Sequence, residues 1–212
     1  YQGWNAAFYP ADYVTELALW CKENDVLLVF DEIQSGFGRT GSKFAFEHYG
    51  VEPDLICVGK GMGSGVPLSG VIGRPEIMDL PIVGNMSSTH SAGAMVCAAG
   101  QATIEEIERL NLVAESKRKG RIMRRGLMAL QSGSGGRISQ IAGRGLVSAI
   151  IFDDDSCDGS GAALADRVCM NALERGLLLV RTGRESIKLG PPLTISDGAL
   201  EEGLEVLGDA LA

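Results

Sequence analysis

The sequence predicts an α/β fold, with a mostly parallel sheet and its helices followed by a smaller α/β unit at the C-terminal end. Three observations predict it. Stretches with apolar residues at helical spacing alternate with short, wholly apolar runs. The early apolar runs end in polar residues followed by glycine-rich stretches. Hydrophobic residues make up 45% and charged residues 22% of the 212 positions, the balance of a globular chain and not of a disordered one.

Each element follows from local pattern. Residues 11–24 place Val14, Leu17, Ala18 and Cys21 on one helical stripe, which Asn24 and Asp25 break. Val26 to Phe30 is apolar throughout, as expected of a strand buried on both faces of a parallel sheet, and it ends at Asp31 and Glu32. A glycine-rich stretch over 35–41 and a short helical piece to Tyr49 follow. Asp54 to Val58 is a second apolar strand, ending at Gly59 and Lys60, and a flexible stretch over 61–65 leads to a third, Leu68 to Gly73. From Ala92 to about Leu130 the pattern is helical, with a break near Asn111. The Ser-Gly-Ser-Gly-Gly-Arg run over 132–137 is the best linker, which sets the expected domains at 1–130 and 131–212. Beyond it lie a strand over 146–152, an acidic loop, a helix over 162–175, and strands near 177–180 and 187–189. Pro191 and Pro192 then stop pairing, and Ser196 or Asp197 caps a final amphipathic helix.

Bulk charge excludes some functions. Twenty-seven acidic residues against 19 Lys plus Arg give a net charge of -8, which leaves no electrostatic footprint for nucleic acid or an anionic membrane. The basic cluster at Lys117, Arg118, Lys119, Arg121, Arg124 and Arg125 reads as a solvated helix face balanced by Glu105, Glu106 and Glu108. Five scattered cysteines with no C-x-x-C pair suggest reduced thiols and a cytoplasmic protein. No apolar run approaches bilayer-spanning length. Opening on Tyr1 and not Met, the chain is expected to be a fragment.

Asp31, Lys60 and the Ser87-Ser88-Thr89 group all come directly after apolar strands or strand-like stretches. In open α/β sheets ligands bind beyond the carboxyl ends of strands, so a carboxylate and a lysine exported from neighbouring strand ends share one crevice. Singly, Asp31 reads as a turn carboxylate and Lys60 as a solvated lysine; together, between two glycine stretches, they read as chemistry. A desolvated lysine becomes a nucleophile, and partly apolar walls at Cys57, Val58 and Met62 could supply the desolvation. A fixed carboxylate beside a pyridine nitrogen keeps it protonated, which makes the ring an electron sink. That division of labour belongs to pyridoxal phosphate enzymes.

Residues 29–74, VFDEIQSGFGRTGSKFAFEHYGVEPDLICVGKGMGSGVPLSGVIGR, closely resemble the class III (ω-aminotransferase-like) aminotransferases of PLP fold type I. The D-E-x-Q-x-G-x-G-R-T-G and K-G-x-G-x-G-x-P elements carry the resemblance, 29 residues separating Asp31 from Lys60, and it continues through residues 86–100 to the Pro-Pro-Leu of 191–193. It spans nearly the whole chain, which corresponds to roughly the C-terminal half of such an enzyme: part of the large cofactor-binding domain plus a small C-terminal α/β domain.

The resemblance implies pyridoxal 5'-phosphate as cofactor, Lys60 as its Schiff-base lysine and Asp31 as partner of the ring nitrogen. It implies that Gln34 contacts the cofactor's phenolic oxygen. It further implies that Thr89, with Ser88 beside it, reaches across a homodimer interface to the partner subunit's cofactor phosphate, which would make the active site a shared one. His90 stands where an aromatic residue is usual and reads as structural. Relatives that use glutamate commonly carry Gln-Gly-Glu-Gly-Gly and an arginine before the Pro-Pro-Leu element; here Trp4 stands for the glutamate and Lys188 for the arginine. Lysine lacks the guanidinium fork, which counts against glutamate and 2-oxoglutarate as substrates. Arg181 matches a mobile arginine that binds substrate carboxylates in amine:pyruvate members. Trp4 and Arg181 are therefore the substrate-binding candidates.

The expected function is transamination between a small-molecule amino donor and a keto or aldehyde acceptor. Two other readings stay open: an aminomutase or racemase of the same fold, and a non-catalytic fragment. The resemblance assigns the phosphate cup and the ring-stacking aromatic to the other half, so little turnover is expected from these residues alone.

Overall fold

The computed structural model describes residues 1–86, 89, 92–154 and 159–212. The chain divides into two compact units, one of residues 9–113 and one of residues 1–8 with 114–212.

The first unit opens with helix α1 (Ala11–Glu23), which buries Val14 and Cys21 and carries Asp12 in its first turn and Lys22 in its last, each matching the helix dipole. Asn24 ends it, its backbone and side-chain amides both bonding to the Trp20 carbonyl (3.0 and 2.8 Å), and Asp25 turns left-handed (φ 54°). Strand β1 (Val29–Asp31) then pairs in parallel with β2 (Leu55–Val58), placing Asp31 opposite Cys57. Strand β3 (Gly70–Gly73) runs antiparallel to β2, so only one of the two ladders is parallel. The expected double burial of the first strand is corrected: Val26, Leu27 and Val29 are 43%, 50% and 48% exposed. Val26 and Leu27 precede β1, which begins only at Val29, so the run is chain leading into a short strand of a three-stranded sheet in the order β1-β2-β3.

A single turn, α2 (Pro75–Met78), with proline in its first turn, precedes α3 (Ala94–Arg109). At Gly100 a Cβ would fall 2.4 Å from Leu68 Cδ2, so a residue of no larger size lets α3 approach the loop ahead of β3. The break expected near Asn111 is real: Asn111 adopts φ 50° between α3 and the next helix, α4 (Leu112–Gly133).

The second unit is built on an antiparallel sheet in the order β4-β5-β7-β6, with β4 Ile138–Arg144, β5 Val147–Phe152, β6 Val180–Arg181 and β7 Ser186–Leu189. Its core gathers Met123 and Leu127 of α4, Ile138, Ile150 and Phe152 of the sheet, Val168 of α5 (Gly161–Glu174) and Leu207 of α6 (Asp197–Leu211). Ser160 and Ser196 cap α5 and α6, accepting hydrogen bonds from Ala163 N–H and Ala199 N–H at 3.2 and 3.1 Å.

The boundary expected at 130/131 falls inside this unit, because α4 carries fully buried side chains into its core. The glycine-serine run taken as a linker is a tight turn: Ser134 Oγ donates to the Gln131 carbonyl and accepts from Ile138 N–H. Strand β4 escaped the sequence reading. The basic cluster is only partly a solvated face. Lys119 is buried at 7%, and Arg118 clamps Asp197 (2.8 and 2.7 Å) and Glu115, so the balancing acids are these and not Glu105, Glu106 or Glu108. Residues 155–158, with Cys157 and much of the acidic loop, lie outside the described residues; Cys21, Cys57, Cys97 and Cys169 are free thiols. No helix among the described residues is long and apolar enough to cross a membrane.

Candidate active site

The site is built where β1 and β2 end. Parallel neighbours lie roughly 4.8 Å apart, and the register sets Asp31 beside Cys57, three residues before Lys60. The same carboxyl edge of the sheet thus exports both groups. Asp31 Oδ1 accepts the Ile33 N–H at 3.0 Å, a local turn that fixes its rotamer. Lys60 opens a 3-10 turn (Lys60–Gly63) and takes a left-handed φ of 43°, unusual for a residue with a Cβ. Such strain persists only where the surroundings impose it, and it clusters at functional positions.

A pyridine-bearing aldehyde cofactor needs a carboxylate with an oxygen to spare and a lysine amine not spent on another acid. Both conditions hold. Among the described residues Asp31 Oδ2 and Lys60 Nζ take part in no hydrogen bond or ion pair, and both residues are exposed. The described residues hold no group of three or more His, Cys, Asp or Glu able to bind a metal.

Gln34 lies in the same loop, half-buried. The glycine stretch that carries it is not an open loop: Ser35, Gly36, Phe37, Gly38 and Thr40 are buried. Phe37 and Phe44 meet edge-on (centroids 5.5 Å), Phe44 stacks on Phe46 (5.9 Å), and His48 Nε2 lies 3.0 Å from Thr40 Oγ1. Sequence reasoning passed over Glu32, which is 1% exposed and makes two hydrogen bonds across this loop. The signal was available, since a second carboxylate directly after Asp31 has Ser35 three residues on. Thr89 lies in an exposed turn; Ser87, Ser88 and His90 fall outside the described residues.

The other sequence candidates belong to the second unit. Trp4 is half-buried and lies under the Arg184 guanidinium, 4.8 Å from ring centroid to Cζ, and its carbonyl accepts from Ser186 Oγ at 3.4 Å. Lys188 Nζ donates to the Gly3 carbonyl at 2.8 Å. Arg181 is not idle: Nη1 meets Asp166 Oδ2 of α5 at 2.8 Å in an exposed ion pair. Burial first, and the Asp166 carboxylate second, push the nearby Cys169 thiol above its usual range, against an opposing pull from Arg181. The structure therefore brings Asp31, Gln34 and Lys60 to one sheet edge and places Trp4 and Arg181 in the second unit, where both border β7: the Trp4 carbonyl accepts from Ser186 and Arg181 pairs with Ile187.

Comparison with known proteins gives a consistent family. The family described as "Aminotransferase class-III" matches residues 4–211. A 4-aminobutyrate aminotransferase of Mycobacterium leprae is 38% identical over 213 residues, 99% of this chain and 48% of the relative. A 2-aminoadipate transaminase of Pseudomonas putida is 39% identical over 215 residues, 100% of this chain and 51% of the relative. Among solved structures, an S-selective transaminase from Arthrobacter sp. superposes with a TM-score of 0.87 at 29% identity, covering 95% of this chain and 47% of that one. The chain spans about half the length of the curated relatives it matches.

Proposed function

Because the chain belongs to the aminotransferase class-III family, we propose that it supplies the cofactor lysine and ring-nitrogen carboxylate of a pyridoxal phosphate-dependent transaminase acting on a small-molecule amino donor and a keto or aldehyde acceptor. The observation that carries this reading is the pairing of β1 with β2, which sets Asp31 and Lys60 at one sheet edge with an oxygen and an amine unspent. Bound pyridoxal phosphate supplies a carbonyl carbon that captures amines and a protonated ring that takes up the electron pair released at the substrate carbon.

The chain's residues do the rest. Lys60 would hold the group through its Nζ, and the same amine would carry the proton taken from the donor's α-carbon to the carbon protonated in exchange. Asp31 keeps the ring nitrogen protonated through Oδ2 while Oδ1 stays fixed by Ile33 N–H. Gln34 donates to the ring oxygen. Thr89, with Ser88, serves the cofactor phosphate of a second copy, which makes the working unit a homodimer. Free thiols are in keeping with a cytoplasmic enzyme.

For the substrate, the grip on a carboxylate falls to Arg181, a strand-end guanidinium whose exposed ion pair with Asp166 can be exchanged for a substrate carboxylate. Borohydride reduction of the cofactor-loaded complete protein, followed by peptide mapping, tests the core of this reading. The expected result is a pyridoxyl adduct on Lys60. An adduct on Lys22 or Lys43, or none, would overturn it.

A further inference from the structure

We propose that Glu32 is a positioning residue: a buried carboxylate that fixes how Asp31 and Gln34 are presented to the cofactor. The inference rests on the reading of Asp31 given above and adds a residue to it.

Glu32 is tied in four directions. Its backbone N–H donates to the Cys57 carbonyl at 2.9 Å, extending the β1–β2 ladder by one bond, and its own carbonyl accepts Gly36 N–H at 2.9 Å. In the side chain, Oε2 accepts from Ser35 Oγ (2.5 Å) and Oε1 from Phe46 N–H (2.8 Å). One residue thus joins the ends of both site strands, the start of the glycine loop and its far end. Among the described residues no lysine or arginine pairs with this carboxylate. A buried acid held by two neutral donors is a poor choice for stability alone, since desolvation opposes it and an apolar side chain would pack without that cost. What it gives is a defined loop position.

The loop transmits that position to the site. At Gly36 a Cβ would come within 2.8 Å of the Glu32 carbonyl and 3.2 Å of Phe44 Cδ1, so the strand-to-loop corner is close-packed. Ile33, directly after Glu32, provides the N–H that fixes Asp31 Oδ1. Gln34 lies between that N–H and Ser35, the residue that Glu32 holds. Loosening Glu32 therefore frees the backbone that orients both cofactor-facing side chains, while neither β1 nor β2 loses a strand bond.

The test uses the complete, cofactor-loaded enzyme with Glu32→Ala, Glu32→Gln and Ser35→Ala, and Leu127→Ala as a lesion in the other unit's core. Three quantities are read: the melting temperature of the apoprotein, the dissociation constant for pyridoxal phosphate, and the pH midpoint of the bound cofactor's visible band. Glu32→Ala is expected to weaken cofactor binding by about tenfold, the upper end of what one ordinary hydrogen bond represents, and to move the pH midpoint. Glu32→Gln restores most of both, because its carbonyl keeps the Phe46 bond and its amide can donate to Ser35 Oγ. Ser35→Ala, which removes one donor only, shifts the midpoint less in the same direction and serves if Glu32→Ala does not fold. Leu127→Ala lowers the melting temperature and leaves binding and midpoint unchanged. A Glu32→Ala enzyme with wild-type binding and midpoint overturns the inference. So does a loss that Leu127→Ala reproduces, which would mark Glu32 as structural. Failure of the wild-type protein to load cofactor on Lys60 would sink the underlying reading as well; normal wild-type loading with a silent Glu32 sinks this inference alone.

Discussion

Replacing Asp166 by asparagine should lower KM for carboxylate-bearing substrates in the complete enzyme and leave simple amines unaffected. Arg181 meets Asp166 through one nitrogen and one oxygen at 2.8 Å, with the two side chains 63% and 49% exposed. A single-contact pair this open to water is worth roughly 0.2–1 kcal/mol. If Arg181 must leave Asp166 to grip a substrate carboxylate, that energy sits in KM, and at about 1.4 kcal/mol per tenfold its removal lowers KM by roughly 1.4- to 5-fold. Arg181→Ala removes the grip itself. Hydrogen bonds to a charged group are worth roughly 1.5–3 kcal/mol, so KM should rise about 10- to 150-fold for carboxylated substrates. The two variants move the same parameter in opposite directions by unequal amounts. Steady-state kinetics with matched substrates that differ by one carboxylate is the assay. Added salt should shrink the Asp166→Asn effect, because an exposed pair is screened. A higher KM in Asp166→Asn, or equal changes for carboxylated and simple amines in either variant, would refute the assignment of Arg181.

Further outcomes follow from packing and charge. Gly120→Ala should destabilise the second unit by about 1–3 kcal/mol, since its Cβ would fall 2.4–2.6 Å from Gly145 backbone atoms; Gly133→Ala, with nothing within 4 Å, should be neutral or gain up to about 1 kcal/mol, and urea denaturation separates the signs. Arg118 holds the Asp197 and Glu115 carboxyls below their usual range through its hydrogen bonds. Folded-state values lower than unfolded ones mean a contribution present above the ordinary carboxylate pKa near 4 and lost as pH falls through the depressed values. Arg118→Met should therefore flatten the acid side of a stability-versus-pH curve, and an unchanged slope would count against this clamp. Cys169, its thiol raised chiefly by burial, should alkylate with iodoacetamide at pH 8 more slowly than exposed Cys97, read by peptide mass spectrometry.

The candidate pair was legible because Asp31 and Lys60 follow two strands that the structure pairs, and apolar runs such as residues 54–58 announce a strand without help from the rest of the fold. Helix α1, the break at Asn111 and the Ser196 cap were legible for the same local reason. What failed depended on distant partners. Residues 132–137 have linker composition, yet Ser134 ties them into a turn because Leu127 and Ile138 share a core. Strand β4 carries Gln140, Gly143 and Arg144 among its apolar residues, and only its pairing with β5 defines it. Glu32 and the buried glycine loop were invisible as a structure because the donors that hold the carboxylate include Phe46 N–H, fourteen residues away. Arg181 was placed correctly at a strand end, but its ion pair with Asp166 arises from α5 packing beside β6, which no local pattern reports.

The most direct measurement is a crystal structure of the complete protein grown with pyridoxal phosphate. Continuous density from the Nζ of Lys60 to the cofactor, with Oδ2 of Asp31 at hydrogen-bond distance from the ring nitrogen, is the predicted result. A cofactor bound elsewhere, or a ring nitrogen facing a group other than Asp31, would contradict the account.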